Sequence, residues 1–418
     1  MRSAMIIVCM ILFISGYAFP QFDVLEKVKK KTEEKVKEQT DKAIDDALEK
    51  DEKTEEDSVK KVESTDESKP SSTENVSPGK ELKSYSKFDF VPGENVLFFE
   101  DFSQDNVGDF PALWNTNSSG EVVTFNNYPG HWFQIGNNGV FLPDIAGTFG
   151  ENFTIEFDII YTGSTQFGFP DFVIEFISGK QENEALDAYI AGNGGCGFRI
   201  GAHGNKVYNW KDRNWGDIDN NKVSDFLYKN LSEKVHVSFS FQKQRVRQWL
   251  NEEKIYDLPK LLSAGVIIDR IRFTTWQTNE QIPYLNITNL RVAVGAPDTR
   301  NKLLTEGKWV THGILFDVNS ATIKAESYGS LKEIANVLKE NADVKVKIVG
   351  HTDSDGDENK NLDLSKRRAE SVKNTLAKEF GINESRMETD GMGETKPVGK
   401  NDTPAGKANN RRVEFIKK

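Results

Sequence analysis

Cysteine is nearly absent: the 418 residues contain two, Cys9 and Cys196. Cys9 lies in an N-terminal apolar run, so removal of that run leaves no possible disulfide within the chain. Histidine is scarce too, at five residues. His131, His203 and His236 show no metal-ligand spacing with one another or with Cys196, and they read as structural. Positive charge is outnumbered: 54 Lys and Arg face 65 Asp and Glu, a formal net charge of −11. That balance argues against nucleic acid and anionic lipid, both of which attract basic surfaces. Long apolar runs are missing as well. The N-terminal run, residues 6–14, is shorter than the ~20 residues a spanning helix needs.

What is present falls into four stretches. Residues 1–18 read as a secretory signal peptide: Arg2 gives the positive start, residues 6–14 the apolar core, and Gly16-Tyr17-Ala18 the small residues that a signal peptidase reads. Cys9 sits inside the apolar core and lacks the small residues that precede a lipidated cysteine. The expectation is an exported, cleaved product, with an uncleaved anchor as the alternative. Export does not require disulfides, so the cysteine count does not conflict with it.

Residues 19–85 are a charged, partly helical or disordered spacer. Val24, Val28, Val36, Ile44 and Leu48 form a sparse apolar stripe at multiples of four, beside charge pairs such as Glu33–Lys37. The stripe is too thin for a globular core, though it permits a weak coiled coil. Pro70, Ser71, Ser72 and Pro78 mark a disordered linker whose role is reach.

Residues 86–298 read as all-β. Phe153, Ile155, Phe157, Ile159 and Tyr161 alternate with Thr154, Glu156 and Asp158, and Val235, Val237, Phe239 and Phe241 alternate in turn. A return strand carries Val246 and Trp249, then Asn251-Glu252-Glu253 turns the chain. Gly and Asn clusters separate the strands, which is sandwich patterning. Glu156 and Asp158 read as the solvent face of an ordinary strand. Trp210 and Trp215 lie in a polar stretch and are the better candidates for exposed, sugar-stacking aromatics; the other tryptophans read as core.

Three pieces of this region resemble concanavalin- and laminin-G-like jelly rolls: Glu100-Asp101-Phe102-Ser103, Gly108-Asp109-Phe110-Pro111 with Trp114, and the hairpin over residues 235–258. The resemblance implies a jelly-roll-like sandwich that takes a glycan or protein partner. Two alternatives stand beside it. A membrane barrel also alternates, but the segments are unevenly spaced and residues 211–230 are long and polar. A retaining glycosidase needs two carboxylates ~5–5.5 Å apart. Glu156-Phe157-Asp158 begins the matching pattern, but Tyr161 stands where its last Glu belongs.

Residues 305–418 carry the densest signal. Lys345-Val346-Lys347-Ile348-Val349 alternates as a half-buried strand. Asp353 leaves its end, and Arg368 sits in the first turns of a helix whose Ala369, Val372 and Leu376 repeat at helical spacing. Gly381 stands at that helix's C-cap. Leu331, Ile334, Ala335 and Leu338 form another apolar helix face that Asn341 can end. Strand, helix, strand, helix, strand makes a small α+β domain of βαβαβ type, with a first strand ending near Phe316 and residues 392–398 completing the sheet or core. Both charged residues point into a loop that can hold a small charged ligand.

Thr352-Asp353, Gly356, Asn361, Leu364-Ser365, Arg368-Ala369 and Val372 follow one another in the order of the OmpA-like peptidoglycan-binding domain. The signature Phe316-Asp317-Val318-Asn319-Ser320-Ala321-Thr322-Ile323, then Gly391-Met392-Gly393-Glu394 and Asn410-Arg411-Arg412-Val413, extend the resemblance over residues 309–416. The resemblance implies non-covalent binding of the diaminopimelate of peptidoglycan, with Asp353 on its ammonium and Arg368 on its carboxylate. Arg suits that carboxylate because its fork matches two oxygens. Asn319, Thr352 and Asn361 are weaker candidates for hydrogen bonding around the ligand, and Arg411 supports the loop or pairs in the sheet. A structural Asp353–Arg368 salt bridge is the alternative; an exposed one would stabilise by only ~0–1 kcal/mol.

Asp353, Asp355 and Asp357 alternate as calcium ligands do, but the sixth position is Glu358 and the twelfth Leu364, where an EF-hand needs Gly and Glu. His351 reads as a brace for the loop. The flagellar-stator branch of the family carries a proton-binding Asp in a spanning helix, and residues 6–14 contain none. Taken together, the sequence predicts a non-enzymatic envelope protein of a diderm bacterium, periplasmic or at the outer membrane, without metal or cofactor. A carbohydrate-binding adhesin and, further off, a glycan-cleaving enzyme are the alternatives.

Overall fold

The computed structural model describes residues 88–163, 171–179, 186–188, 192–200, 206–211, 214–219, 233–276, 284–295 and 299–418. The signal peptide, the whole spacer of residues 19–85, and His203 lie outside them. The described residues all belong to one compact unit, Leu82–Lys418.

Alternation builds two antiparallel sheets. In Asn152–Thr162 the residues Phe153, Ile155, Phe157, Ile159 and Tyr161 face one buried core. Its neighbours are Val235–Gln242, in which Phe241 stands opposite Phe153, and Tyr284–Val294. Phe153 and Phe241 stack at 4.2 Å. The sheet continues through Arg245–Leu250 and Glu253–Leu258 on one side, and through His131–Ile135 and Gly120–Thr124 on the other, with Asn95–Glu100 beside Tyr284–Val294. The facing sheet runs Asn214–Asp219, Lys206–Lys211, Gly194–Ile200, Asp171–Ser178, Arg270–Trp276, Gly139–Pro143, Trp114–Thr116. Phe172, Ile174, Phe176, Phe198 and Phe273 close the core from that side. The region 88–295 is thus rich in β-structure, two sheets around a mainly aromatic core.

Several expectations change here. Within the long polar stretch 211–230, Asn214–Asp219 is a strand paired with Lys206–Lys211. Trp210 is 1% exposed, packed with Ile177 and stacked on Tyr208; it lies on the sheet face turned away from the main core that Val207 enters, and is covered there by these neighbours, so the local composition misleads. The side chain of Trp215 lies outside what is described, and Trp276 is the exposed tryptophan among the described residues. Glu156 and Asp158 are not on a solvent face. Both are 4% exposed, because the outer face of their sheet is covered by the C-terminal domain.

That domain is mixed α/β. Its sheet runs Lys308–Thr311, Val413–Lys417, Val346–Gly350, Met387–Gly391, with the last pair parallel and the others antiparallel. Helices Tyr328–Glu340 and Glu358–Lys378 bury the faces expected of them, Leu331, Ile334, Ala335 and Leu338 from one and Ala369, Val372 and Leu376 from the other. Asn341 ends the first helix and donates Nδ2 to Val337 O. Asp357 starts the second by accepting from the Lys360 amide. Gly381 takes φ 70°, the left-handed conformation that closes a helix end.

Two details of the predicted βαβαβ order are corrected. The first strand ends at Thr311; residues 316–323 form a loop closed by a bridge between Phe316 and Ile323. The extra strand is Met387–Gly391, not residues 392–398, and a short helix, Pro404–Asn410, precedes the last strand. Met387–Gly391 is an edge strand with a single large apolar residue, too little to register as alternation. Among the described residues, no helix is long and apolar enough to cross a membrane.

Candidate functional site

The strand Val346–Gly350 and the helix Glu358–Lys378 lie against each other, so the loop leaving the strand passes the helix's early turns. Asp353 lies in that loop and Arg368 on that helix, and both line one cavity of about 370 Å³. Asn319, Thr352 and Asn361 line it too. All five predicted site residues therefore come together.

They do not form the salt bridge that was the structural alternative. Among the described residues Asp353 pairs with Arg411, whose Nη1 lies 2.5 Å from its Oδ2. Its Oδ1 accepts from the Asp355 amide. Arg368 instead donates Nε to Ser320 O at 3.0 Å and Nη2 toward Asp317 O at 3.4 Å. Its guanidinium lies 4.9 Å from the centre of the Phe316 ring. The loop with the first-strand signature is thus a cradle that orients Arg368. Burial, with the charges of Arg411 and Arg367 set against that of Asp353, lowers the Arg368 pKa to about 10. The group remains cationic at neutral pH.

The neighbouring side chains hold the loop or edge the cavity. Asn361 Nδ2 donates to Asp355 O and Glu394 Oε2, so its amide nitrogen is engaged with the loop itself. Thr352 Oγ1 is buried without a hydrogen-bond partner among the described residues, leaving it open to a ligand. Asn319 sits at φ 53°, a left-handed turn that Asn tolerates. Asp355 pairs with Lys407 at 2.7 Å, and His351 Nε2 lies 3.5 Å from Glu414 Oε1. Burial raises the Glu414 carboxyl, but His351, Lys308 and Arg412 outweigh it and hold the group well below the usual carboxylate range. Among the described residues, no cluster of three or more His, Cys, Asp or Glu is placed to hold a metal.

The opposite wall comes from the sandwich, which the sequence reading left out of the site. Three adjacent strands set charges side by side: His236 stands opposite Asp158, and Arg291 opposite Glu156. His236 Nδ1 lies 2.7 Å from Asp158 Oδ1, and Lys234 Nζ 3.1 Å from Asp158 Oδ2. Burial opposes the charge on His236, but Asp158 and then Glu156 overcome it and raise its pKa to about 10. Burial likewise pushes Asp158 up, and His236, Lys234 and Asn289 together hold it well below the carboxylate range. Phe99 separates Arg291 from Arg411, with the two guanidinium carbons 5.6 and 5.2 Å from its ring. The signal that could have found this wall is acidic residues at alternate positions of a strand, opposite a histidine and an arginine on its two neighbours.

Both walls carry charges of both signs at short range. Such a space suits a ligand that is itself zwitterionic.

Residues 315–411 match the model of the OmpA family, so the C-terminal domain is an OmpA family domain. The chain is 42% identical over 104 residues to the probable lipoprotein YiaD of Escherichia coli, covering 25% of this chain and 47% of that protein. It is 43% identical over 101 residues to outer membrane porin F of Pseudomonas fluorescens, covering 24% and 31%. The chain thus spans less than half the length of either relative. Among solved structures, the peptidoglycan-associated lipoprotein from Burkholderia pseudomallei is 30% identical, covering 25% of this chain and 88% of that one, with a TM-score of 0.24.

Proposed function

We propose that the chain is a non-enzymatic envelope protein of a diderm bacterium that binds peptidoglycan non-covalently through Asp353 and Arg368. The observation that carries the reading is that these two residues share a cavity without pairing with each other. Asp353 presents an anion steadied by Arg411, and Arg368 a planar cation held by the backbone of the loop 316–323. A carbon bearing both an ammonium and a carboxylate, as the free end of diaminopimelate does, answers that arrangement. Thr352 Oγ1 and Asn319 supply further polar contacts. Binding is an equilibrium of hydrogen bonds and charges; no bond is broken.

The names of the relatives, an outer membrane porin and a lipoprotein, support an exported protein of the periplasm or outer membrane. In this reading the domain spans residues 305–418. It tethers to the wall a jelly-roll-like sandwich, residues 86–298, whose own partner is a glycan or protein. The charged stretch 19–85 sets the distance.

Competition tests the head-group claim. The full chain is expected to sediment with purified diaminopimelate-type sacculi and to be released by excess meso-diaminopimelate but not by lysine. Sedimentation that diaminopimelate does not reverse would place the contact elsewhere on the wall.

A further inference from the structure

The charged wall of the sandwich is an unusual thing to bury beneath another domain. Replacing buried ion pairs by apolar side chains of similar volume is often neutral or stabilising, so packing alone gives little reason for them. The cluster is also incompletely satisfied. Glu156 Oε2 and Arg291 Nε are buried and make no hydrogen bond among the described residues, and 3.7 Å separates Glu156 Oε2 from Arg291 Nη1. Such atoms in a cavity are candidates for ligand contact.

The docking that brings this wall to the site is itself built. Asn409 donates Nδ2 to Val96 O and accepts from Val96 N through Oδ1, as a further strand residue would. Lys302 pairs with Glu94 at 2.7 Å, and Arg291 donates to His312 O at 3.2 Å. Phe90 packs edge-on against Trp249, with Tyr328 of the C-terminal domain beside them.

Lys234 is placed to act at the rim. Its side chain is 29% exposed, and its ammonium lies 3.1 Å from Asp158 and 3.9 Å from Glu326. An ammonium has three donors, so the two acids orient it without exhausting it. The cavity's 370 Å³ stands near the lower end of small-ligand sites, ~300–1,000 Å³. It takes a head group and a neighbouring residue, not a strand of glycan.

We propose that the sandwich is the second half of the binding site, and that Lys234 on its wall reads a carboxylate on the residue next to the zwitterionic head group. This rests on the peptidoglycan reading of Asp353 and Arg368. In a diaminopimelate stem peptide the preceding residue is a γ-linked D-glutamate, whose α-carboxylate is free. The ligand class is therefore a short anionic peptide end, bound between two domains.

Calorimetric titration of the full chain with meso-diaminopimelate and with the tripeptide L-Ala-γ-D-Glu-meso-diaminopimelate tests this. Wild type is expected to bind the tripeptide about tenfold more tightly than the free amino acid, the scale of one charge-assisted hydrogen bond. Lys234→Ala should abolish that preference and leave diaminopimelate binding unchanged, while Arg368→Ala should weaken both. If Lys234→Ala lowers the melting temperature, Lys234→Arg, which keeps the charge, should restore the preference. An unchanged preference in Lys234→Ala overturns the two-wall site and leaves the head-group reading standing. Wild type binding neither ligand overturns both.

Discussion

Arg411 lines the same cavity and is placed to matter through Asp353. It holds Asp353 and lies against Phe99 of the sandwich. Arg411→Ala is expected to weaken diaminopimelate binding about tenfold by freeing the carboxylate to rotate, a loss of the order of one charge-assisted bond; titration calorimetry reads it. His236 governs a different property. Its pKa is raised to about 10 in the fold, so the stability it contributes is complete below its unfolded value, ~6.5, and is lost as pH rises toward 10. The melting temperature should therefore fall across that window, and His236→Gln should flatten the fall. Asp158 acts in the opposite sense: held low, it contributes above its ordinary range and loses that contribution in acid. Asp353 and Arg368 were legible because residues of fixed type stand at fixed spacing around them. The burial of Glu156 and Asp158 was not, because alternation says which residues share a face and not what covers that face.

At the scale of elements, the site depends on how closely one strand approaches one helix. A Cβ at Gly350 would lie 2.3 Å from Ser365 O. Gly350→Ala must push the strand end and helix apart, at a cost of about 1–3 kcal/mol; chemical denaturation should show it, and diaminopimelate binding should fall with it. The helix start is a smaller lever. Asp357→Ala removes the acceptor for the Lys360 amide and should lower stability by about 1 kcal/mol, with little effect on Arg368 more than two turns along. Helices Tyr328–Glu340 and Glu358–Lys378 were readable from apolar spacing and their end residues. The strand Met387–Gly391 was not: it buries Met387 and Gly391, with exposed Glu388 between Met387 and half-buried Thr389 and Asp390, and it owes its place to parallel pairing with Val346–Gly350. The first strand, expected to run to about Phe316, stops at Thr311, and Phe316 instead pairs with Ile323 across a turn and not along a sheet.

At the scale of the molecule, the sandwich and the OmpA family domain share a polar, hydrogen-bonded contact. Asn409→Ala removes both of its bonds to Val96 and is expected to lower the melting temperature and to split a single unfolding transition into two, as seen by scanning calorimetry. Neither the contact nor the composite cavity could be read from sequence, because the residues that form them come from separate elements, 313 positions apart for Val96 and Asn409 and 208 for Glu94 and Lys302, and each looks like ordinary surface in its own element. Whether Asp353 and Arg368 hold peptidoglycan is decided by sedimentation of the full chain with purified sacculi, comparing wild type with Asp353→Ala and Arg368→Ala, each shown to be folded. Wild type is expected to pellet and both variants to stay in solution. Equal pelleting of all three would reduce the two residues to structural roles, and wild type remaining in solution would contradict the tether itself.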